Sequence, residues 1–258
     1  MALVQLNYFS NVLKTPVDVT VLLPEIDKKD EGSGRPEGEY RTVWLFHGMS
    51  SDHTTWLRRT DVDLFCKRHK IAFVMPGIGD NWYTNTVSGM RYFDYVTDEL
   101  PQVCRSYFAG MSPRREMNLV AGCSMGGYGA VKAALHRPEN YYGCISLGGA
   151  LDITREGRKK HTELWRRIFD YNMQDESELA GTEHDLYHVA RVQKEKGVTL
   201  PEFYLWCGAQ DGLFENNRKF DRLLTELELP HVYKESEGTH SWVWWSPELE
   251  NGLKYFIK

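Results

Sequence analysis

Residues 118–132 read Asn-Leu-Val-Ala-Gly-Cys-Ser-Met-Gly-Gly-Tyr-Gly-Ala-Val-Lys. Leu119, Val120 and Ala121 make the short apolar run of a buried parallel strand. Gly122 to Gly126 spell G-x-S-x-G around Ser124, and the helix formers Ala130 to Leu135 follow. A strand, a glycine-bracketed serine and a helix predict a sharp corner that presents Ser124. Side chains two residues before and after the serine would collide with the adjoining strand and helix. The helix N-terminus behind Ser124 favours negative charge developing there. The pentapeptide alone arises by chance in roughly one chain of this length in ten. The alternative is a glycine-rich turn with an N-capping serine. The partners of Ser124 decide between the two.

The chain has 258 residues, enough for one α/β domain with a large core. A net charge of −5 and a pI near 6.0 give no basic footprint, so nucleic acid is not an expected partner. Eight Trp and 13% aromatic residues exclude disorder and suggest that some aromatics line a pocket. The first residues lack a basic region, a long apolar region and a cleavage site, which predicts no signal peptide and a cytoplasmic protein. No apolar run is long enough to span a membrane. The five cysteines are scattered and read as free buried thiols. No metal or other cofactor is expected.

Leu3–Ser10 and Asp18–Leu23 predict an antiparallel opening hairpin, followed by an exposed loop at 24–40. Thr42–Phe46 is a strand that runs into His47-Gly48-Met49-Ser50. Gly48 would let the backbone approach an acyl carbon, so that the next N–H points at a developing oxyanion. Met49 is assigned as that donor, with Ser50 as the alternative, and the N–H of Met125 as the second donor. His47 reads as a structural ring that bonds nearby backbone. Trp56, a candidate substrate contact, and His53 read as pocket wall.

A helix at Val62–Lys70 leads into a buried strand, Ile71–Pro76. Trp82 and Tyr83, in the loop after it, are candidate substrate contacts, because ligands bind beyond strand C-termini in such sheets. Pro101 interrupts helical spacing over 94–108 and predicts a kink or a helix start. A strand at Tyr142–Leu147 precedes about fifty residues, 150–200, with no evident strand. These read as a cap-like insertion in a single domain. Within it His184 and His188 are four apart on an expected helix, 183–196, and read as exposed helix histidines. Strands at Phe203–Cys207 and His231–Glu235 flank a helix at Glu215–Leu227, and a terminal helix ends the chain.

Loops at strand C-termini thus carry Ser124, Asp211 and His240 in that order. His47, His53, His69 and His136 precede the acid, and His231 lies at the wrong end of its strand. Asp152 is the fallback acid. His240 would take the serine proton as general base, and Asp211 would orient the imidazole. No cofactor is needed for that chemistry.

H-G-M-S-S-D-H-T-T-W, G-C-S-M-G-G-Y-G-A, C-G-A-Q-D-G-L and G-T-H-S-W-V-W-W together resemble the bacterial tributyrin esterase family. That family is part of the esterase D, S-formylglutathione hydrolase and feruloyl esterase-like group. The resemblance covers nearly the whole chain. It implies an α/β-hydrolase fold, with a mostly parallel sheet flanked by helices. It also implies a serine carboxylesterase that prefers short acyl chains, with a small-molecule ester as substrate. The triad maps onto Ser124, Asp211 and His240, and the oxyanion donors onto Met49 and Met125. A thioester hydrolase of the S-formylglutathione type is the alternative. Some relatives are oligomers, so a homo-oligomer is a further expectation.

Overall fold

The computed structural model describes residues 1–25, 38–154 and 162–257. Most of the expected loop at 24–40, and the charged run Arg155 to Lys160 with His161, lie outside the described residues. The strands are β1 (Ala2–Ser10), β2 (Thr15–Leu23), β3 (Thr42–Phe46), β4 (Ala72–Pro76), β5 (Asn118–Cys123), β6 (Gly143–Leu147), β7 (Glu202–Gly208) and β8 (His231–Ser236). The helices are α1 (Thr55–Arg59), α2 (Val62–His69), α3 (Tyr92–Asp94), α4 (Leu100–Tyr107), α5 (Met125–His136), α6 (Thr162–Ile168), α7 (Leu186–Glu195), α8 (Phe214–Glu226) and α9 (Trp242–Phe256).

The strands form one sheet in the order β1-β2-β4-β3-β5-β6-β7-β8. β2 pairs antiparallel with β1 and β4, and the other pairs are parallel. This is the α/β-hydrolase arrangement. β3 to β6 are buried on both faces, so their sequences are continuous apolar runs rather than alternating ones. Alternate residues still feed opposite cores. Trp44, Phe46 and Val120 pack with Tyr95, Leu100 and Tyr128 on one face. Val43, Leu45 and Ala121 pack with Phe65 of α2 and Leu249 and Leu253 of α9 on the other.

Register brings the strand ends level. Phe46 lies opposite Gly122, Cys123 opposite Leu147, and Leu147 opposite Trp206. The loops that begin at His47, Ser124, Gly148 and Ala209 therefore leave the same edge of the sheet. The insertion between β6 and β7 is helical where described, with α6 and α7. It packs on the loop after β4 and on α5: Trp165 meets Trp82, and Tyr128 Oη donates to the His184 carbonyl at 3.0 Å.

Pro101 resolves into a helix start. It occupies the first turn of α4, which continues from α3 through a π-helical turn at Tyr95–Glu99. Pro101 has no N–H to give the Thr97 carbonyl, four residues back. Asn140 Nδ2 donates to that carbonyl instead, at 3.3 Å.

Candidate active site

Ser124 stands between β5 and α5 with φ 54° and ψ −120°, far from the regions a side-chain-bearing residue prefers. The flanking glycines make that corner possible. A Cβ on Gly122 would lie 2.2 Å from the Gly126 carbonyl oxygen, and one on Gly126 would lie 2.3 Å from that of Phe46. The backbone is held at both ends. Ser124 N–H donates to Leu147 O, and Ser124 O accepts from Ala150 N–H, each at 3.1 Å.

The corner puts the Ser124 hydroxyl 2.8 Å from His240 Nε2, and His240 Nδ1 lies 2.8 Å from Asp211 Oδ2. The Asp211 side chain is 0% exposed and the His240 ring 36% exposed. The carboxylate is therefore shielded while the imidazole faces solvent. Asp211 Oδ1 accepts from Leu213 N–H at 2.8 Å, which fixes the carboxylate plane. The two loops are laced together, because Gln210 N–H donates to Gly238 O at 2.9 Å and Gly238 N–H to Gln210 Oε1 at 2.8 Å. The Asp152 carboxylate instead accepts from Thr154. Such a chain of bonds can draw the proton from a serine as it attacks a carbonyl.

The strand end at His47 lies alongside. A Cβ on Gly48 would be 3.4 Å from Ser124 Cβ. His47 is buried, as a structural ring should be, with Nδ1 bonded to Gly48 O at 2.8 Å and Nε2 accepting from Ile78 N–H at 3.3 Å. Burial holds its pKa below the ordinary imidazole value and so favours this neutral form. Ser50 N–H is engaged by Asp80 Oδ1 at 2.6 Å, which leaves Met49 the better placed of the two candidate donors. Met125 opens α5, so its N–H is among those that a helix leaves without an internal partner.

The three candidate substrate contacts occupy the core. Trp56 is 0% exposed, and its indole N–H donates to Phe46 O at 3.0 Å. Tyr83 stacks on Phe46 at 4.4 Å, and its hydroxyl donates to His47 O at 2.9 Å. Trp82 packs between Tyr128 and Trp165. The structure thus brings Ser124, His240 and Asp211 together, sets Met125 and Gly48, the residue before Met49, beside the serine, and places these aromatics behind the strand ends, as supports. His184 also departs from expectation. It precedes α7, which Asp185 caps, and it is buried with Nδ1 3.1 Å from Lys132 Nζ; His188 is exposed.

Two neighbours of the triad were not singled out from sequence. Gly148 has φ 51°, and a Cβ there would sit 2.9 Å from Asp211 Oδ2. The Gly148-Gly149 pair after a strand was the available signal. Trp245 packs against the His240 ring, and only its closeness to His240 in sequence hinted at this.

Residues 10–256 match the Esterase family model, described as "Putative esterase". An acetyl esterase of Caldicellulosiruptor saccharolyticus is 29% identical over 100% of this chain and 99% of its own. A substrate-bound structure of FphF, a fluorophosphonate-binding serine hydrolase of Staphylococcus aureus, is 28% identical with a TM-score of 0.88, covering 100% of this chain and 98% of its own. The S-formylglutathione hydrolase FrmB of the same organism is also 28% identical, with a TM-score of 0.85 and coverage of 100% and 99%. With the motifs, the eight-stranded sheet and a serine–histidine–aspartate array at its edge, these likenesses identify the chain as a member of the esterase family of α/β-hydrolases, a carboxylic ester hydrolase.

Proposed function

We propose that the protein hydrolyses short-chain acyl esters of small alcohols through an acyl-enzyme on Ser124. The observation that carries this is the hydrogen-bonded array from buried Asp211 through His240 to the strained Ser124. Ser124 Oγ attacks the acyl carbon while His240 Nε2 takes its proton. The tetrahedral oxyanion accepts from the N–H groups of Met49 and Met125, each worth roughly 3 kcal/mol in the transition state. Collapse breaks the ester C–O bond, and His240 returns the proton to the leaving alkoxide. Water, deprotonated by His240, then releases the acid and restores Ser124. Asp211 keeps Nδ1 protonated throughout and stabilises the imidazolium.

The acetyl esterase relative supports a short acyl group. The likeness to FrmB favours a second reading, hydrolysis of a thioester of the S-formylglutathione type by the same residues. Rates on p-nitrophenyl esters from acetate to octanoate, with Ser124→Ala as control, test the proposal. A steep fall beyond butyrate, with the folded variant inactive, is expected. Full hydrolysis by the variant would refute the role of Ser124. Absence of oxyester turnover alongside turnover of S-formylglutathione would select the second reading.

A further inference from the structure

His240 sits on an exposed loop, and among the described residues hydrogen bonds hold its ring only along one axis, from Asp211 to Ser124. Rotation about that axis is limited by whatever packs against the ring. That neighbour is Trp245, with ring centroids 4.8 Å apart and planes at 89°. Trp245 is 4% exposed, in the first turns of α9. Its indole Nε1 has no hydrogen-bond partner among the described residues, an arrangement that normally destabilises a core. A Cβ built on Gly148 would lie 2.9 Å from Asp211 Oδ2, 3.3 Å from Trp245 Nε1 and 3.6 Å from His240 Nδ1, so all three groups face one small volume.

Trp245 is itself braced. Trp242 packs edge-on against it at 5.1 Å, and Trp56 packs edge-on against Trp242 at 5.0 Å. Trp56 in turn bonds to the carbonyl of Phe46, one residue before the His47-Gly48 turn. A run of perpendicular rings therefore links the histidine loop to the strand end that carries the Met49 donor. Perpendicular aromatic pairs at these separations are attractive, and indoles are too large to shift without moving their neighbours.

We infer that Trp245 is a positioning residue, which fixes the plane of the His240 imidazole so that Nε2 stays on Ser124 while Nδ1 stays on Asp211. The inference rests on the proposed roles of Ser124 and His240. It requires a flat ring at position 245 more than an indole. Trp245→Leu is expected to lower kcat for p-nitrophenyl acetate by about 10- to 100-fold with KM within about threefold. Trp245→Phe is expected to keep kcat within about threefold. The downfield proton resonance of the His240 Nδ1–H···Asp211 bond should be present in the wild type and Trp245→Phe and lost in Trp245→Leu. Trp245→Met carries the same expectation as the leucine variant, and replaces it should that variant not fold. In the wild type, nuclear Overhauser effects between His240 and Trp245 ring protons test the contact without substitution.

Unchanged kcat in the folded leucine or methionine variant overturns the inference, as does equal loss of kcat in the phenylalanine variant. So does the absence of the Overhauser contact. Ser124→Ala separates this failure from failure of the proposed function. An inactive Ser124→Ala with a fully active Trp245→Leu rejects only the role of Trp245, whereas an active Ser124→Ala rejects the reading beneath it.

Discussion

A backbone conformation like that of Ser124 costs about 1–3 kcal/mol and persists only when its surroundings over-determine it. Here Leu147 and Ala150 grip the Ser124 peptide groups, and two glycines let strand, corner and helix touch. His47 acts on the opposite side of the site. Its Nδ1–H donates to the Gly48 carbonyl. That carbonyl and the Met49 N–H belong to one planar peptide and point in opposite directions. Holding the oxygen therefore aims the N–H. His47→Ala is expected to lower kcat by roughly 10- to 100-fold with a smaller change in KM, because the proposed Met49 donor would matter most once the oxyanion forms. Steady-state kinetics on p-nitrophenyl butyrate check this; a variant with unchanged kcat would show that the turn holds itself. The ring's structural nature was legible in the sequence, from its place at a strand end ahead of the acid. The depth of Trp56, Trp82 and Tyr83 was not. Aromatics beyond strand ends can face a ligand or fill the core, and only packing separates the two.

At the scale of elements, α5 carries both the serine corner and an unusual cation. Lys132 is 3% exposed, and its ammonium contacts Thr84 Oγ1 and His184 Nδ1 and lies over the rings of Phe93 and Tyr128. Burial lowers its pKa from 10.5 to about 7, partly opposed by Glu183. Burial and then the nearby Lys132 push His184 down to about 2, so His184 is neutral. Between pH 7 and 10.5 the unfolded chain holds a proton on Lys132 that the folded chain has lost. Stability from this group thus rises with pH across that window, and its full cost falls at and below the lower limit. Lys132→Met should therefore stabilise the protein most below neutrality, by about 1–4 kcal/mol, with the gain shrinking as pH rises. Urea denaturation at about pH 6.5 and about pH 9.5 measures it. A variant less stable than wild type at the lower pH would show instead that the Lys132–Thr84–His184 contacts outweigh the buried charge. The sequence could not reveal this cluster, because its members come from α5, the loop after β4 and the insertion. Spacing alone made His184 a helix residue, while the Asp185 cap starts α7 at Leu186, two residues after His184.

Across the whole molecule, the legible part is what local pattern dictates. Doubly buried parallel strands read as apolar runs, and their loops carried the Ser, Asp and His in an order that leaves few alternatives. Strand register then does what sequence order cannot show, bringing residues 116 apart to hydrogen-bonding distance. Lacing of the acid and histidine loops by Gln210 and Gly238 depends on β7 and β8 being neighbours, and no single motif contains it. Ser124 owes its proposed nucleophilicity to this assembly. Intact-protein and peptide mass spectrometry after brief exposure to a fluorophosphonate, with His240→Gln alongside, tests it most directly. One adduct on Ser124, with labelling slowed by roughly 100-fold or more in His240→Gln, is the expected result. Labelling at another residue, or equal labelling of the two proteins, would contradict the account.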